Sequence, residues 1–196
     1  MSVLSQDGGQ STFSFLDIPH SPREEALGGT AIAVFDSDVS LSQITPSLLN
    51  SLMHNELVFT FGDYFSDINL LSFSYARVVN KVGVLGVSLR AINYGDFSRN
   101  DAAGYNQGVF SANDQVLTFG VGRKISQKIH IGANVNILNS NYDTYTSFAL
   151  LSNISSTYID EDNHFSATLL VKNIGRQLES YTSIKEDLSY EVNFAV

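Results

Sequence analysis

The feature that most constrains this chain is a period-two alternation of apolar and polar residues from residue 56 onward. Successive side chains of a strand point to opposite faces of a sheet, whereas one face of a helix repeats about every 3.6 residues. The alternation therefore predicts an all-β fold whose strands have one apolar and one polar face. The clearest run sets Ile129, Ile131, Ala133, Val135 and Ile137 against His130, Gly132, Asn134 and Asn136.

Eight strands account for this part of the chain. We place them at residues 56–64, 67–79, 82–96, 110–124, 128–139, 145–159, 164–173 and 188–196. If consecutive strands are antiparallel, the longest connections, 97–109 and 174–187, both fall at one end of the sheet. Bacterial outer-membrane barrels show this asymmetry, with long extracellular loops and short periplasmic turns. The pattern thus favours an antiparallel up-and-down transmembrane β-barrel.

Aromatic residues near the strand ends are expected to form the girdles that mark the two membrane interfaces. They are Tyr64, Tyr94, Phe97, Phe110, Tyr142 and Tyr145 toward the long loops, and Tyr158 and Phe165 toward the short turns. Alternation alone also fits a soluble sandwich or a ligand-binding barrel with the apolar face inward. The strand pattern leaves both interpretations open.

The prolines divide the chain in two, because all three lie within the first 46 residues. Proline cannot donate to a β ladder, so residues 13–55 are predicted to form an irregular plug or hatch segment, and residues 56–196 the barrel strands. One or two helical turns are expected at residues 47–53. Residues 1–12 are expected to be disordered or a remnant of a signal peptide.

Composition excludes several classes of protein. Only 16% of residues are charged and the net charge is −9, with basic residues scattered along the chain, so a nucleic-acid-binding patch is not expected. The absence of cysteine excludes a disulfide framework and a thiolate zinc site. No run of about 20 apolar residues is present, which excludes a helical membrane protein.

Residues that carry chemistry are sparse. The histidines are isolated and lack the paired spacing of metal ligands, and no catalytic or cofactor-binding motif stands out. We therefore expect no enzyme activity, no cofactor and no metal site. His130 lies on the polar face of its strand and could join a hydrogen-bond network in the lumen. The four histidines are His20, His54, His130 and His164.

Two arginines on neighbouring strands, Arg77 and Arg90, are candidate lumen charges. An arginine facing lipid is costly, so each is expected to face the lumen or lie near an interface. A buried arginine needs an acidic partner, and acidic residues of the N-terminal segment could supply it, which would tie that segment to the barrel as a plug. Alternatively, these acidic residues are simply solvated at the surface. Asp36 and Asp38 are expected to act as helix caps or as salt-bridge partners of Arg23 or of Arg90 in the lumen, and not as catalysts. The candidate acids of the N-terminal part are Asp17, Glu24, Glu25, Asp36 and Asp38.

The N-terminal part also carries a family resemblance. Residues 13–29 read FSFLDIPHSPREEALGG, residues 36–39 DSDV and residues 46–49 PSLL; later matches are NYGDF at 93–97, GVFSAND at 108–114, YDTY at 142–145 and FSATLLVKNIG at 165–175. From about residue 13 to the end, the chain resembles the PorQ family of outer-membrane barrels of Bacteroidetes, which is related to PorV and to the fatty-acid transporter FadL. The motif residues are Leu16, Pro19, Ala26, Leu27, Gly28, Gly29, Asp36, Asp38 and Pro46.

The resemblance implies a function in the type IX secretion system. There the family helps to hold the cell-surface attachment complex together with PorV, PorZ and the sortase-like PorU, to which catalysis would belong. The alternative is a FadL-like channel for hydrophobic small molecules with the N-terminal segment as its hatch, and an outer-membrane enzyme comes third. The chain departs from the family at Thr45, where relatives usually place asparagine. Because family members continue through further strands, we expect an incomplete barrel with unpaired outer strands.

Overall fold

The computed structural model describes residues 13–19, 21–29, 31–64, 66–182, 188 and 190–196. Its strands form one antiparallel sheet in chain order, each paired with its sequence neighbours. The expected all-β, up-and-down topology is confirmed. The strands are β1 (Leu57–Asp63), β2 (Asn69–Val79), β3 (Gly83–Asn100), β4 (Asn106–Lys124), β5 (Ile129–Tyr142), β6 (Tyr145–Asp160), β7 (Phe165–Glu179) and β8 (Glu191–Ala195).

The predicted long loop at 97–109 is wrong. Strands β3 and β4 continue as a projecting ribbon in which Phe97 pairs with Phe110, and only residues 101–105 connect them. The Asp101 carboxylate closes this turn by accepting from the backbone N–H groups of Ala103 and Tyr105, both at 2.9 Å. The predicted loop at 174–187 also begins too early, because β7 extends to Glu179; its residues 183–187 lie outside the described residues.

The N-terminal segment, residues 13–55, consists of short helical pieces. The α-helix α1 (Pro22–Ala26) begins after Ser21, whose Oγ accepts from the Glu24 N–H at 3.1 Å. The expected helical turns near 47–53 are two 3-10 helices, Pro46–Leu48 and Ser51–Met53. Two more 3-10 helices are Ser14–Asp17 and Val39–Ser42. The predicted tail 1–12 lies outside the described residues.

The two faces of the sheet differ sharply in chemistry. The N-terminal segment covers one face, here called the inner face, whose buried side chains are largely serine, threonine, asparagine and glycine along the middle of the strands. The opposite, outer face is uncovered and has large apolar side chains. Examples on the outer face are Leu85, Phe119, Ile131, Val135, Ile154, Leu169 and Phe194, all more than a third exposed.

Two buried apolar clusters lie on the inner side of the sheet. At the end that carries the β3–β4 ribbon, Phe13 and Phe15 pack with Ile92, Leu138 and Leu151. At the other end, a second cluster joins Val39, Leu49 and Met53 of the segment to Ala76 and Val84. No helix in the described part of the chain is long and apolar enough to cross a membrane.

The outer strands of the sheet are β1 and β8. Within the described ranges, β1 pairs with β2 and β8 pairs with β7, and no ladder joins β1 to β8. The ladder that would close an eight-stranded barrel is therefore not formed between described residues. Both strands carry exposed apolar side chains on the outer face, including Phe59 and Phe61 on β1 and Val192 on β8.

Candidate functional site at the inner face of the sheet

Two glycines of the inner face lie directly against the N-terminal segment. A Cβ atom on Gly132 would lie 2.2 Å from the carbonyl carbon of Pro46, and one on Gly122 would lie 2.6 Å from the Cβ of Leu49. Both distances are shorter than any real contact of a Cβ atom. Glycine at these two inner-face positions is what lets Pro46 and its neighbours touch the sheet.

Hydrogen bonds from the inner face satisfy the backbone of the segment at the same place. The Ser47 N–H donates to Ser155 Oγ at 2.8 Å, and the hydroxyls of Ser47 and Thr157 share a bond of 2.7 Å. Buried backbone groups need partners, and here the sheet supplies them from side chains. Two amides act alike: Asn134 Nδ2 donates to the Gln43 carbonyl at 2.7 Å and Asn153 Nδ2 to the Ile44 carbonyl at 3.1 Å.

The glycine pair of the family-like motif ends α1. Gly28 and Gly29 have φ values of +91° and +87°, a left-handed backbone that favours glycine. Their N–H groups donate to the carbonyls of Glu25 at 3.0 Å and Glu24 at 2.9 Å, which caps the helix. Of the other motif residues, Leu16 packs with the Phe13 cluster, Pro19 lies beside Gly29, and Ala26 and Leu27 are exposed.

Asp36 and Asp38 both pair with Arg23, as expected. Arg23 donates through Nη2 to Asp36 and through Nη1 to Asp38 Oδ2 at 3.1 Å. Asp38 also caps the next 3-10 helix by accepting from the Ser40 N–H at 2.9 Å. Burial alone raises the pKa of the Asp38 carboxyl, but hydrogen bonds from Ser40 and Arg23 outweigh burial and hold that pKa below its ordinary value.

The two candidate lumen arginines lie on opposite faces. Arg90 is only 6% exposed on the inner face, where it donates to the Ile18 carbonyl at 3.1 Å and lies over the Phe15 ring. Arg77 does not face the inner side as a lumen charge would: its side chain is exposed on the outer face, two residues from the end of β2, so of the two expected positions only the one near an interface remains. Because side chains alternate along a strand and Ala76 is buried on the inner face, Arg77 must point to the outer face. So close to the end of β2, its long side chain can reach water.

One ion-pair bridge was not anticipated from the sequence. Lys172 Nζ lies 2.9 Å from Asp17 Oδ1 and 3.1 Å from Glu191 Oε2, so it ties the N-terminal segment to β7 and β8. From the sequence, Asp17 was a candidate partner of a buried arginine, whereas its partner in the structure is a lysine. The only available signal was a lysine within a predicted strand, which does not indicate a partner 155 residues away.

Tyr94 and Tyr142 belong to an inner polar cluster and not to a girdle, which corrects that expectation. Their hydroxyls donate to Asp114, a fully buried carboxylate, at 2.7 and 2.8 Å, and Ser140 donates to it as well. Other aromatics do lie exposed near strand ends. Phe97 stacks on Phe110 at 5.3 Å between ring centroids, and Tyr158 meets Phe165 edge-on at 6.2 Å.

His130 packs its ring against Phe35, with 4.9 Å between centroids. Its Nδ1 atom has no hydrogen-bond partner among the described residues. A polar network does form further along the inner face, where Thr118 donates to Asn136 at 2.8 Å, but the network does not include His130. His20 lies outside the described residues, and among those described no group of three histidines or acids could hold a metal ion.

The candidate site is therefore an interface: the segment 13–55 rests on a polar, small-residue face that is shaped to its backbone. Comparison of the chain with protein-family models, with curated proteins and with solved structures found no match.

Proposed function

We propose that this chain forms part of the wall and plug of an outer-membrane β-barrel, and that the barrel is a scaffold of the type IX secretion system that helps to hold the cell-surface attachment complex. The observation that carries the membrane proposal is the inverted polarity of the sheet. Large apolar side chains occupy the exposed outer face, and serine, threonine, asparagine and glycine occupy much of the buried inner face. A water-soluble sheet would bury the first set and expose the second.

The size of the apolar face fits a bilayer. On β5, the outer positions from Ile129 to Ile137 are apolar throughout, and eight residue steps of about 3.4 Å span roughly 27 Å along the strand. A strand tilted by about 45° needs 9–11 residues to cross the hydrocarbon region. The exposed Tyr158–Phe165 pair lies at the turn end of this face, where an interfacial aromatic is expected.

The N-terminal segment supports the same proposal. Irregular backbone at membrane depth is tolerated only where protein covers it or water fills a cavity. Here the irregular stretch around Pro46 lies on the inner face, and its backbone groups bond to the sheet at Ser155, Asn134 and Asn153. Lipid on the outer face would never meet this segment.

A fixed plug favours a scaffold over a channel. Backbone contact at Gly132, the hydrogen bonds of Ser47 and the bridge through Lys172 all hold the segment against the wall. One observation favours the FadL-like alternative: a cavity of about 220 Å³ lies between Leu16, Glu24 and Lys172, beside β8. The secretion pathway, the sortase-like partner and the roles of PorV and PorZ rest on the resemblance of the sequence alone.

Affinity purification of the full-length protein from outer membranes tests the pathway. We expect a folded band on semi-native gels that shifts on heating, and co-purification of a sortase-like protein. A folded barrel that purifies alone and takes up fatty acid would replace the scaffold by the channel. Recovery in the soluble fraction would refute the membrane proposal itself.

A further inference from the structure

The outer face is not uniformly filled, and the exception is a groove at the turn end of strands β4 to β7. Ala133 and Ser156 are small outer-face residues, and each is flanked in its ladder by larger ones. Val121 and Ile154 pair with Ala133, and Ile131 and Leu169 pair with Ser156. The result is a depression of about 510 Å³, within the usual size range of ligand sites.

One charged side chain borders this groove. Arg123, the penultimate residue of β4, is exposed and lines the groove, and no acidic residue lines it. Within the described part of the chain, Arg123 has no ion pair. The rest of the lining is apolar or small: Val82, Val121, Ala133, Ile154, Leu169 and Val171. An apolar channel with a cation at one end is the complement of an anionic amphiphile.

We propose that this groove binds one acyl chain of an anionic phospholipid, with Arg123 contacting its phosphate. The proposal rests on the membrane location proposed above and adds a specific lipid site to it. Arginine suits this contact because its planar guanidinium matches a phosphate in two hydrogen bonds. Arg123 also lies one residue from the end of its strand and pairs with Ile131, so its long side chain can reach a headgroup beyond the strand end. Ala133 and Ile154 continue the groove from there toward the strand centre.

Fluorescence quenching by brominated lipid tests the site directly, because the chain contains no tryptophan. Phe119→Trp places a single tryptophan, which can be excited apart from the nine tyrosines, on the outer face of β4, two residues from the groove residue Val121. The protein is reconstituted in phosphatidylcholine with brominated phosphatidylglycerol or brominated phosphatidylcholine as the quencher. We expect brominated phosphatidylglycerol to associate with the protein about two- to fivefold more strongly than brominated phosphatidylcholine does. This is the preference expected of one exposed ion pair.

Three variants in the Phe119→Trp background separate charge from shape. Arg123→Gln removes the phosphate contact, and Ala133→Leu fills the groove while it leaves the charge in place. Both should reduce the preference to about onefold. Arg77→Gln is the matched control, because it removes another exposed arginine of the outer face, two strands from Val121, that does not line the groove, and it should leave the preference unchanged.

The outcomes distinguish this inference from the proposed function. Strong quenching by both lipids without preference keeps the membrane location and overturns the lipid site. A preference that survives Ala133→Leu also overturns it, because charge alone would then suffice. No quenching by either lipid shows that the outer face does not meet lipid, which refutes the membrane proposal and this site with it.

Discussion

Substituting Gly132 by alanine tests whether backbone contact holds the N-terminal segment against the inner face of the sheet. The new Cβ would lie 2.2 Å from the Pro46 carbonyl carbon and 2.4 Å from both the Pro46 oxygen and the Ser47 nitrogen. All three are backbone atoms, which cannot rotate away as the end of a side chain can. The segment must therefore move outward by about 1 Å or more to restore a normal contact near 3.5 Å.

The energetic effect follows from what that movement breaks. Overpacking of a well-fitted contact costs about 1–3 kcal/mol. The shift also lengthens the Ser47 N–H bond to Ser155 and the Ser47 hydroxyl bond to Thr157, both buried, at about 1 kcal/mol each. Even the lower end of this sum, about 3 kcal/mol, corresponds to at least a roughly hundredfold larger open population of the segment.

Trypsin cleavage after Arg23, followed by mass spectrometry, measures this population. When opening is fast relative to cleavage, the cleavage rate follows the fraction of open molecules. Gly120→Ala is the matched control: it lies on the same inner face, and its new Cβ would make ordinary contacts with Leu49 Cδ1 at 3.4 Å, Asn134 Cβ at 3.5 Å and the Ala133 backbone oxygen at 3.9 Å. Equal cleavage rates for the two variants would refute the argument that backbone contact at Gly132 fixes the segment.

Three further changes probe other parts of the molecule. Val135→Arg, at an outer-face position 41% exposed, should destabilise membrane insertion by about 2–4 kcal/mol if it lies near the midplane, and an unchanged heat-shifted gel band would contradict this. Replacing Tyr105 and Val109 with serine, both exposed on the β3–β4 ribbon, should leave assembly intact and impair cargo attachment; normal attachment would exclude the ribbon as a docking site. Because the pKa of Asp38 lies below its ordinary value of 3.8 in the folded protein, its ionised form stabilises the fold above that pH and the contribution disappears as pH falls through the lower value. Asp38→Asn keeps a capping side chain but removes the charge. It should therefore lower the free energy of unfolding, measured in urea at pH 6, by roughly 0.5 kcal/mol, and by less at pH 2; an equal loss at both pH values would contradict this.

The sheet was predictable because alternation is a local signal. Every strand from β1 to β8 overlaps its predicted position, since a period of two places each apolar residue on a known face. The extension of β3 and β4 was missed because residues 97–109 are mostly polar and include two glycines, so they carry no alternation. Backbone pairing holds this ribbon together, with register shifts between Asn93 and Asp96 and between Ser98 and Asn100.

For Arg77, the alternation of side chains along β2 was a better guide to its position than the free energy of an arginine in lipid. Phe73, Tyr75 and Arg77 share one parity along β2, so alternation already assigned Arg77 to the large apolar face. The inward prediction came from the high free energy of an arginine in lipid, which falls toward the strand ends. Long-range partners form a different limit: Ser47 and Ser155 are 108 residues apart, and nothing in either local sequence indicates the other.

The inner-face glycines bear on whether the segment could act as a hatch. Gly86, Gly120, Gly122 and Gly132 lie on three neighbouring strands, and a Cβ on each would meet Pro46 or Leu49 within 3.4 Å. The small residues at these positions leave room for the Leu49 side chain at Gly86 and Gly120 and for backbone atoms of the segment at Gly122 and Gly132. Movement of the segment away from the sheet would expose these glycines and the apolar side chains of the second cluster around Leu49. It would also break the buried hydrogen bonds of Ser47 with Ser155 and Thr157. A mobile hatch would need contacts that exchange at little free energy, whereas this interface loses hydrogen bonds and apolar burial together. The geometry therefore favours a plug that folds as part of the wall, which is the property a scaffold requires.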